Sequence, residues 1–168
     1  MTKIYTTTGD AGETSRLDGG RISKKNPLVE AVGVIDESNA SLGLARSFNT
    51  TAYYDKIIEK IQKKLFVAGA DAMNVQRDER FPRIETSDIS ELEKWIDQLD
   101  ETLEPLTKFI LPGGTPFSAH LHFSRTIIRK AERRLVALDP PVSSELRIYF
   151  NRLSDLLFVL ARHAQEQH

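Results

Sequence analysis

The residues best suited to chemistry lie between positions 109 and 134, in the stretch FILPGGTPFSAHLHFSRTIIRKAERR. At helical spacing, one stripe of this stretch carries Ser118, His122, Arg125, Arg129 and Glu132, and it borders the apolar arc of the same helix. Charged side chains rarely lie at the margin of a core unless they are paired or hold a ligand. Arginine presents a planar set of N–H donors that suits phosphate oxygens. The stripe is therefore a candidate anion-binding site.

Residues 1–25 differ from the rest of the chain, because they are rich in Gly, Thr, Ser and charge and have almost no apolar spacing. Backbone N–H groups in Gly-rich turns, hydroxyl donors and nearby cations are what a polyphosphate needs. The GK[ST] ending of a P-loop is absent. Local chemistry leaves two interpretations open, a phosphate-binding loop and a frayed terminus.

Asp36 lies in the middle of a predicted helix face made of the small and apolar residues Val29, Val32, Ala40 and Gly43. A carboxylate on such a face needs a cation or N–H donors, because an unpaired buried charge is very costly. The alternative is an acid at a helix edge that still reaches water. The sequence leaves both interpretations open.

Asn151 and Asp155 are four residues apart on the last predicted helix, so they share a face close to its apolar arc. With Asp36 and the arginines they could form a salt-bridge network that holds the helices in register. Such a network explains less well why Arg125 and Arg129 meet so few inward carboxylates. A structural network and a ligand site are the two hypotheses at this point.

Other catalytic chemistry finds little support in the sequence. His120 and His122 are two residues apart and point to different sides of a helix, so they cannot hold a metal ion jointly. A GxSxG nucleophile elbow is absent, and no GxGxxG follows a strand pattern. We predict no metal site built from protein side chains, and we expect Mg²⁺ only as a companion of bound phosphates.

Five helices position these residues, and the sequence contains no convincing strand. Thr115 and Pro116 predict the start of the helix that carries the arginines. Asp88 with Glu91 resembles a capping pair that opens the third helix. Long helices with short connections predict an all-α five-helix bundle. The predicted helices cover residues 26–48, 53–74, 88–103, 115–138 and 143–165.

Composition narrows the class of protein. The chain has 168 residues, which predicts a single domain over residues 1–168. A net charge of -1 argues against nucleic acid as the main partner. The absence of cysteine excludes disulfides and thiolate metal sites. No apolar run approaches membrane-spanning length and the first residues do not resemble a signal peptide, so we expect a cytoplasmic protein without membrane contact.

Five motifs occur along the chain in a fixed order: KIYTTTGDAGETS, VEAVGVIDESNASLGLAR, FILPGGT, RTIIRKAERR and FNRLSDLLFVLAR. Together they resemble one known family, the trimeric ATP:cob(I)alamin adenosyltransferases of the PduO type. The resemblance implies a homotrimer of five-helix, ferritin-like up-and-down bundles with active sites between neighbouring subunits. It also implies the reaction, which transfers the 5′-deoxyadenosyl group of ATP to the cobalt of a reduced corrinoid. The implied ligands are ATP, Mg²⁺ and cobalamin, with a cobalamin reductase or an acceptor enzyme as a further partner.

The resemblance also implies roles for individual residues. Arg129 would stabilise the departing triphosphate, and Phe109 would occupy the lower face of the cobalt. Asp36 and Arg125 would pair across subunits, with Asp155 supporting the same region. Residues 1–25 would wrap ATP, and residues 26–166 would form the bundle. The implied ATP-binding residues are Thr6, Thr7, Thr8, Gly9, Thr14, Ser15, Lys24, Arg129, Lys130, Glu132, Arg133 and Asn151.

The chain departs from the family pattern at a few positions. Thr7 and Ala11 stand where lysines are usual, Ser38 stands where a leucine is expected, and Lys130 replaces a common second arginine. These departures bear on ATP affinity more than on the type of reaction. Two alternatives to the enzyme are a non-catalytic carrier or sensor of ATP or a corrinoid, and a structural helical oligomer.

Overall fold

The computed structural model describes residues 3–167 and consists mainly of five helices, as the sequence predicts. Helix α4 lies between α1 and α5, while α2 packs on α1 and α3 packs on α5. Within residues 3–167, no helix has the length and apolarity that crossing a membrane requires. The helices are α1 (Pro27–Ser47), α2 (Ala52–Met73), α3 (Thr86–Asp100), α4 (Pro116–Val136) and α5 (Ser144–Glu166).

The N-terminal segment contains a short β-hairpin, so the prediction of a chain without strands is wrong in this detail. Strands β1 (Glu13–Ser15) and β2 (Arg21–Ser23) are antiparallel, with Thr14 opposite Ile22. Gly19 in the connecting turn has φ +84°, a left-handed conformation that favours glycine. Only Ile22 of the hairpin packs against the core. Strands of three mostly polar residues are too short for an alternation of apolar residues to reveal them.

Capping residues define the starts of α4 and α3, one at the predicted position and one earlier in the chain than predicted. The hydroxyl of Thr115 accepts the backbone N–H of Ser118 at 3.1 Å, which confirms the predicted cap of α4. The predicted pairing of Asp88 with Glu91 at the start of α3 is wrong. Glu85 is the N-cap instead, and Asp88 accepts its backbone N–H at 3.0 Å. The reciprocal capping box therefore begins three residues earlier than predicted.

The predicted apolar arcs of α2, α4 and α5 form one buried core. Each fully buried aliphatic or aromatic side chain contributes about 1.5–3 kcal/mol by leaving water, so the three arcs dominate the stability of the bundle. The buried residues predicted from spacing are Ile57, Ile58, Ile61, Leu65, Ala68 and Ala72 on α2, Phe117, Leu121, Ile128, Ala131 and Leu135 on α4, and Leu146, Phe150, Leu153, Leu157, Leu160 and Ala164 on α5.

Helix α1 turns a different face to the core than the sequence predicts. Asp36 is exposed, and the small and apolar face around it lies at the surface of the chain. Small and apolar residues surround α1 nearly evenly, so helical spacing could not tell its core face from its second apolar face. Of the two interpretations of Asp36, the single chain therefore shows the acid that reaches water. The residues of α1 that enter the core are Leu28, Ala31, Val34, Ile35, Leu42 and Ala45.

Candidate functional site

A polar face formed by α4 and α5 carries several of the predicted site residues. The side-chain amide of Asn151 on α5 donates to Glu132 on α4 at 3.2 Å. Arg152 in turn donates to the amide oxygen of Asn151 at 2.9 Å. Glu132 and Asn151, which lie 19 residues apart, are thus fixed against each other. Both amide functions of Asn151 are occupied, so its orientation is set by its neighbours.

The two arginines of this face, Arg125 and Arg129, have no carboxylate partner in the part of the chain that the structure describes. Within residues 3–167, neither Arg125 nor Arg129 forms an ion pair, and the buried Nε of Arg125 has no acceptor. Burial lowers the pKa of Arg125, and the nearby charge of Arg129 lowers it further. A half-buried cation without an acceptor is destabilising, because its desolvation is not compensated. The internal salt-bridge network does not form from these residues, and the face is suited to an external anion.

Asp155 lies on the same side of α5 as Asn151, close enough to Arg152 and Arg129 for their charges to affect its pKa. Burial raises the pKa of its carboxyl, while the charges of Arg152 and Arg129 lower it. The guanidinium of Arg152 approaches Asp155 only to 4.0 Å and bonds closely to Glu93, at 2.8 Å. Asp155 therefore keeps free acceptor oxygens beside the arginines.

The remaining cations of α4 differ in what they contact. Lys130 forms an ion pair with Glu37 of α1 at 2.8 Å, and Arg134 approaches Glu30 to 3.7 Å. Both pairs join α4 to α1. Arg133 is exposed and forms no ion pair among the described residues. Of the predicted ATP-binding residues on α4, Lys130 is thus the one that forms an ion pair among residues 3–167.

The N-terminal segment is internally bonded rather than extended. Arg21 donates to the backbone oxygen of Thr8 at 2.5 Å and to the hydroxyl of Ser15 at 3.1 Å. A Cβ on Gly9 would lie 3.1 Å from the ammonium of Lys24, so glycine allows this cation to approach the loop. The hydroxyls of the neighbouring threonines, Thr6 and Thr8, bond to each other at 2.9 Å, and Thr7 between them has φ +59°. The loop therefore presents hydroxyls and an ammonium group together, which favours the phosphate-loop interpretation.

Asp36 borders an open apolar cavity of about 520 Å³ on the α1–α2 side of the bundle. Gly33 and Gly69 line the cavity, and Phe66 beside them is 71% exposed. Thr14 from β1 lies at its rim. The predicted residues therefore fall into two groups, one near the hairpin and α1 and one on α4 and α5. Within residues 3–167, no hydrogen bond or ion pair joins the hairpin to the α4–α5 face.

Phe109 lies in the connection between α3 and α4 and is fully exposed. Leu111, two residues later, is 93% exposed. Two neighbouring apolar side chains held in solvent are typical of a ligand or protein contact.

Phe158 and Arg162 on α5 contact this region and are absent from the sequence-based predictions. The ring of Phe158 lies 5.9 Å from the guanidinium of Arg125 and 6.0 Å from that of Arg162, and the ring of His122 meets it edge-on at 6.0 Å. Burial, followed by the charge of Arg125, lowers the pKa of His122, whose Nδ1 has no hydrogen-bond partner among the described residues. Phe158 and Arg162 are four residues apart and therefore share a face of α5, which could have indicated that they belong together. Both lie next to the apolar arc of α5, however, and so resemble core residues.

This combination defines a class: a helical bundle with two separate groups of residues suited to an anionic ligand. One group contains the α4 arginines that form no ion pair within residues 3–167, and the other is a Gly/Thr-rich N-terminal loop. The family follows from comparison. The chain belongs to the cobalamin adenosyltransferase family, whose sequence model matches residues 4–164.

Curated relatives agree with this assignment. The chain is 44% identical over 164 residues to the corrinoid adenosyltransferase PduO of Salmonella typhimurium, covering 95% of this chain and 48% of that protein. It is 42% identical over 172 residues to a corrinoid adenosyltransferase of Mycobacterium tuberculosis, covering 98% of this chain and 89% of the relative. The chain thus spans about half the length of PduO and nearly all of the mycobacterial protein.

Solved structures have the same fold. A phenylalanine-to-histidine variant of a PduO-type ATP:corrinoid adenosyltransferase from Lactobacillus reuteri, complexed with cobalamin and ATP, superposes with a TM-score of 0.92. The two are 36% identical, and the match covers 98% of this chain and 91% of the other. An arginine-to-lysine variant of the Lactobacillus reuteri enzyme, complexed with ATP, matches with a TM-score of 0.90 and 35% identity over 97% of this chain and 94% of the other.

Proposed function

We propose that this protein transfers the 5′-deoxyadenosyl group of ATP to the cobalt of a reduced corrinoid. The electron pair of cobalt(I) attacks the ribose C5′, a Co–C bond forms, and the C5′–O bond breaks. Its electrons leave with triphosphate, so the products are adenosylcobalamin and triphosphate. The observation that carries the proposal is a family match over residues 4–164, together with a fold shared with a relative that was solved with both cobalamin and ATP.

The reaction requires no general acid or base from the protein. Cobalt(I) is itself a strong nucleophile, so positioning and electrostatic stabilisation of the leaving group carry the rate. Arg129 is the proposed stabiliser of the triphosphate, because it is exposed and unpaired within residues 3–167. Lys24 shares this role from the N-terminal loop. The described residues offer no cluster of three or more His, Asp or Glu that could hold a metal, so Mg²⁺ is proposed to arrive on the phosphates.

The active site is proposed to lie between two copies of the chain in a homotrimer. The separation of the two residue groups supports this arrangement, since a hairpin from one copy can meet the α4–α5 face of the next. Asp36 would then accept from Arg125 across the contact, which would satisfy the buried Nε of that arginine. The open apolar cavity beside Asp36 is the surface that this contact would cover.

The remaining predicted residues also have proposed places, and Asp155 supports the contact that Asp36 makes with Arg125. Residues 1–25 wrap ATP and residues 26–166 form the bundle, in a single domain. Phe109 occupies the lower face of the corrinoid and keeps an axial ligand off the cobalt, which makes the cobalt(II) precursor easier to reduce. The other proposed ATP-binding residues are Thr6, Thr7, Thr8, Gly9, Thr14, Ser15, Lys130, Glu132, Arg133 and Asn151.

The direct test is to mix the protein with ATP, Mg²⁺ and chemically reduced cobalamin and to follow the visible spectrum. Formation of alkylcobalamin with one triphosphate per turnover is the expected result. Tight binding of ATP and cobalamin without alkylcobalamin would instead favour the carrier or sensor. Family membership favours the enzyme over that alternative. A cytoplasmic location is part of the proposal and agrees with a sequence that has no cysteine.

A further inference from the structure

The last turns of α5 form hydrogen bonds to both ends of the segment that carries Phe109, which runs from Glu104 to Thr115. Before Phe109, the guanidinium of Arg162 donates to the backbone oxygen of Glu104 at 2.5 Å and lies 3.4 Å from Asp100. After it, the side-chain oxygen of Gln165 accepts the backbone N–H of Thr115 at 2.9 Å. Arg162 and Gln165 are three residues apart on one helix, so a single helical turn sets the distance between the two ends.

A third bond strengthens the second attachment. The hydroxyl of Ser118 lies 2.8 Å from the backbone oxygen of Ala161 on α5 and 3.0 Å from that of Gly113. Ser118 is buried, and it links the turn before α4 to the same stretch of α5. The connection between α3 and α4 is therefore attached to α5 at both of its ends.

Apolar packing does not hold the segment between these attachments. Leu106 is 48% exposed and Leu111 is 93% exposed, so neither side chain anchors the backbone in the core. Beneath the segment lies a cavity of about 380 Å³, lined by both of its ends, by Arg162 and Gln165, and by His122. With little buried apolar area, the conformation of the segment depends on the polar attachments from α5.

Gly114 shows how closely Gln165 fits the segment. Its φ is +97°, and a Cβ on Gly114 would overlap the side-chain oxygen of Gln165. A substitution at Gly114 would therefore expel the acceptor of the Thr115 N–H. The hydrogen bond from Thr115 to Gln165 therefore requires glycine at position 114.

We propose that Arg162 and Gln165 are positioning residues. They hold the segment so that the exposed ring of Phe109 contacts the lower face of the corrinoid. The inference rests on the proposed function and extends it to residues that touch neither substrate. Loosening either attachment lets the segment move. The ring then excludes an axial ligand from cobalt less completely, while the attack of preformed cobalt(I) on ATP is unaffected.

The test compares Gln165→Leu with Gln165→Glu, which retains an acceptor oxygen, and with Gln167→Leu as a matched control on the same helix end. We measure adenosylation from cobalt(I) formed beforehand, adenosylation from cobalt(II) with a reductant, and the visible and EPR spectra of bound cob(II)alamin, which report axial ligation. For Gln165→Leu we expect the cobalt(II) rate to fall about five-fold, the effect of one lost hydrogen bond, with an axially ligated spectrum and an unchanged cobalt(I) rate. Gln165→Glu should restore the wild-type behaviour. Arg162→Lys, which shortens the donor to Glu104, should show the same difference between the two rates.

The outcomes separate this inference from the proposed function. A wild-type protein that forms no alkylcobalamin refutes the enzyme itself. An active wild-type protein with a Gln165→Leu variant that matches Gln167→Leu in both rates refutes the positioning role. Equal losses from cobalt(I) and cobalt(II), or a lowered melting temperature that accounts for the loss, would also refute it.

Discussion

Exchanging the charges of Asp36 and Arg125 tests whether two copies of the chain complete one site. Asp36 is exposed in the single chain, while Arg125 is half-buried and its Nε lacks an acceptor. If the two residues pair across subunits, Asp36→Ala leaves an unpaired guanidinium inside the contact. We expect the variant to assemble poorly.

The size of the effect follows from the environment of Arg125. Two unit charges about 4 Å apart attract by about 4 kcal/mol at an effective dielectric constant of about 20. Taking about half of that as the net loss after desolvation, about 2 kcal/mol per contact gives about 6 kcal/mol for three contacts. Trimerisation depends on the square of the free chain concentration, so the midpoint of assembly should rise about 100-fold.

The assay is sedimentation velocity over a range of protein concentrations. Glu37→Ala is the matched control, because Glu37 is the adjacent carboxylate on α1 and pairs with Lys130 of its own chain. Asp36→Arg combined with Arg125→Asp should recover assembly that either single change removes. Pairing of Asp36 with Arg125 across subunits is refuted if Asp36→Ala assembles like Glu37→Ala, or if the double exchange assembles no better than the single ones.

Three further predictions concern α4 and its lead-in. Arg129→Ala should lower turnover by about 100-fold or more without a change in melting temperature, because Arg129 is exposed and has no ion pair within residues 3–167; near-normal steady-state turnover would remove its role. Phe109→Ala should slow adenosylation from cobalt(II) much more than from cobalt(I), with Leu111→Ala as an exposed apolar control; equal losses in both assays would contradict axial exclusion. Burial and the charge of Arg125 lower the pKa of His122, so the unfolded chain binds the proton first and stability falls as pH drops below about 6.5. His122→Phe should therefore reduce the loss of melting temperature between about pH 7.5 and pH 5, and an unchanged pH profile would argue against this account.

Local signals in the sequence predicted much of the fold correctly. The start of α4 depends on Thr115 and Pro116, which act within one helical turn, so the cap could be predicted without any tertiary contact. The apolar arcs of α2, α4 and α5 each have one clear side, and those sides form the core. The family motifs likewise lie in continuous stretches of the chain, so the resemblance requires no knowledge of how the helices pack.

Tertiary contacts decided what local pattern could not. Helix α1 has two apolar sides, and only its packing against α2 and α4 determines that Asp36 faces outward. The hairpin forms although its three-residue strands carry no apolar alternation. Arg162 has the spacing of an ordinary residue of the last helix, and only the fold brings it to Glu104, 58 residues earlier in the chain.

The sequence by itself determined the number of helices, the start of α4, the core faces of α2, α4 and α5, and the residue types suited to an anionic ligand, because all of these depend on neighbours within a few turns. The tertiary structure alone decided how those residues are grouped. It left Arg125 and Arg129 without carboxylates among the described residues and kept the hairpin apart from α4 and α5. It also attached the Phe109 segment to the end of α5. The physical reason is that burial and charge pairing depend on distances between side chains far apart in the chain, which helical spacing does not encode.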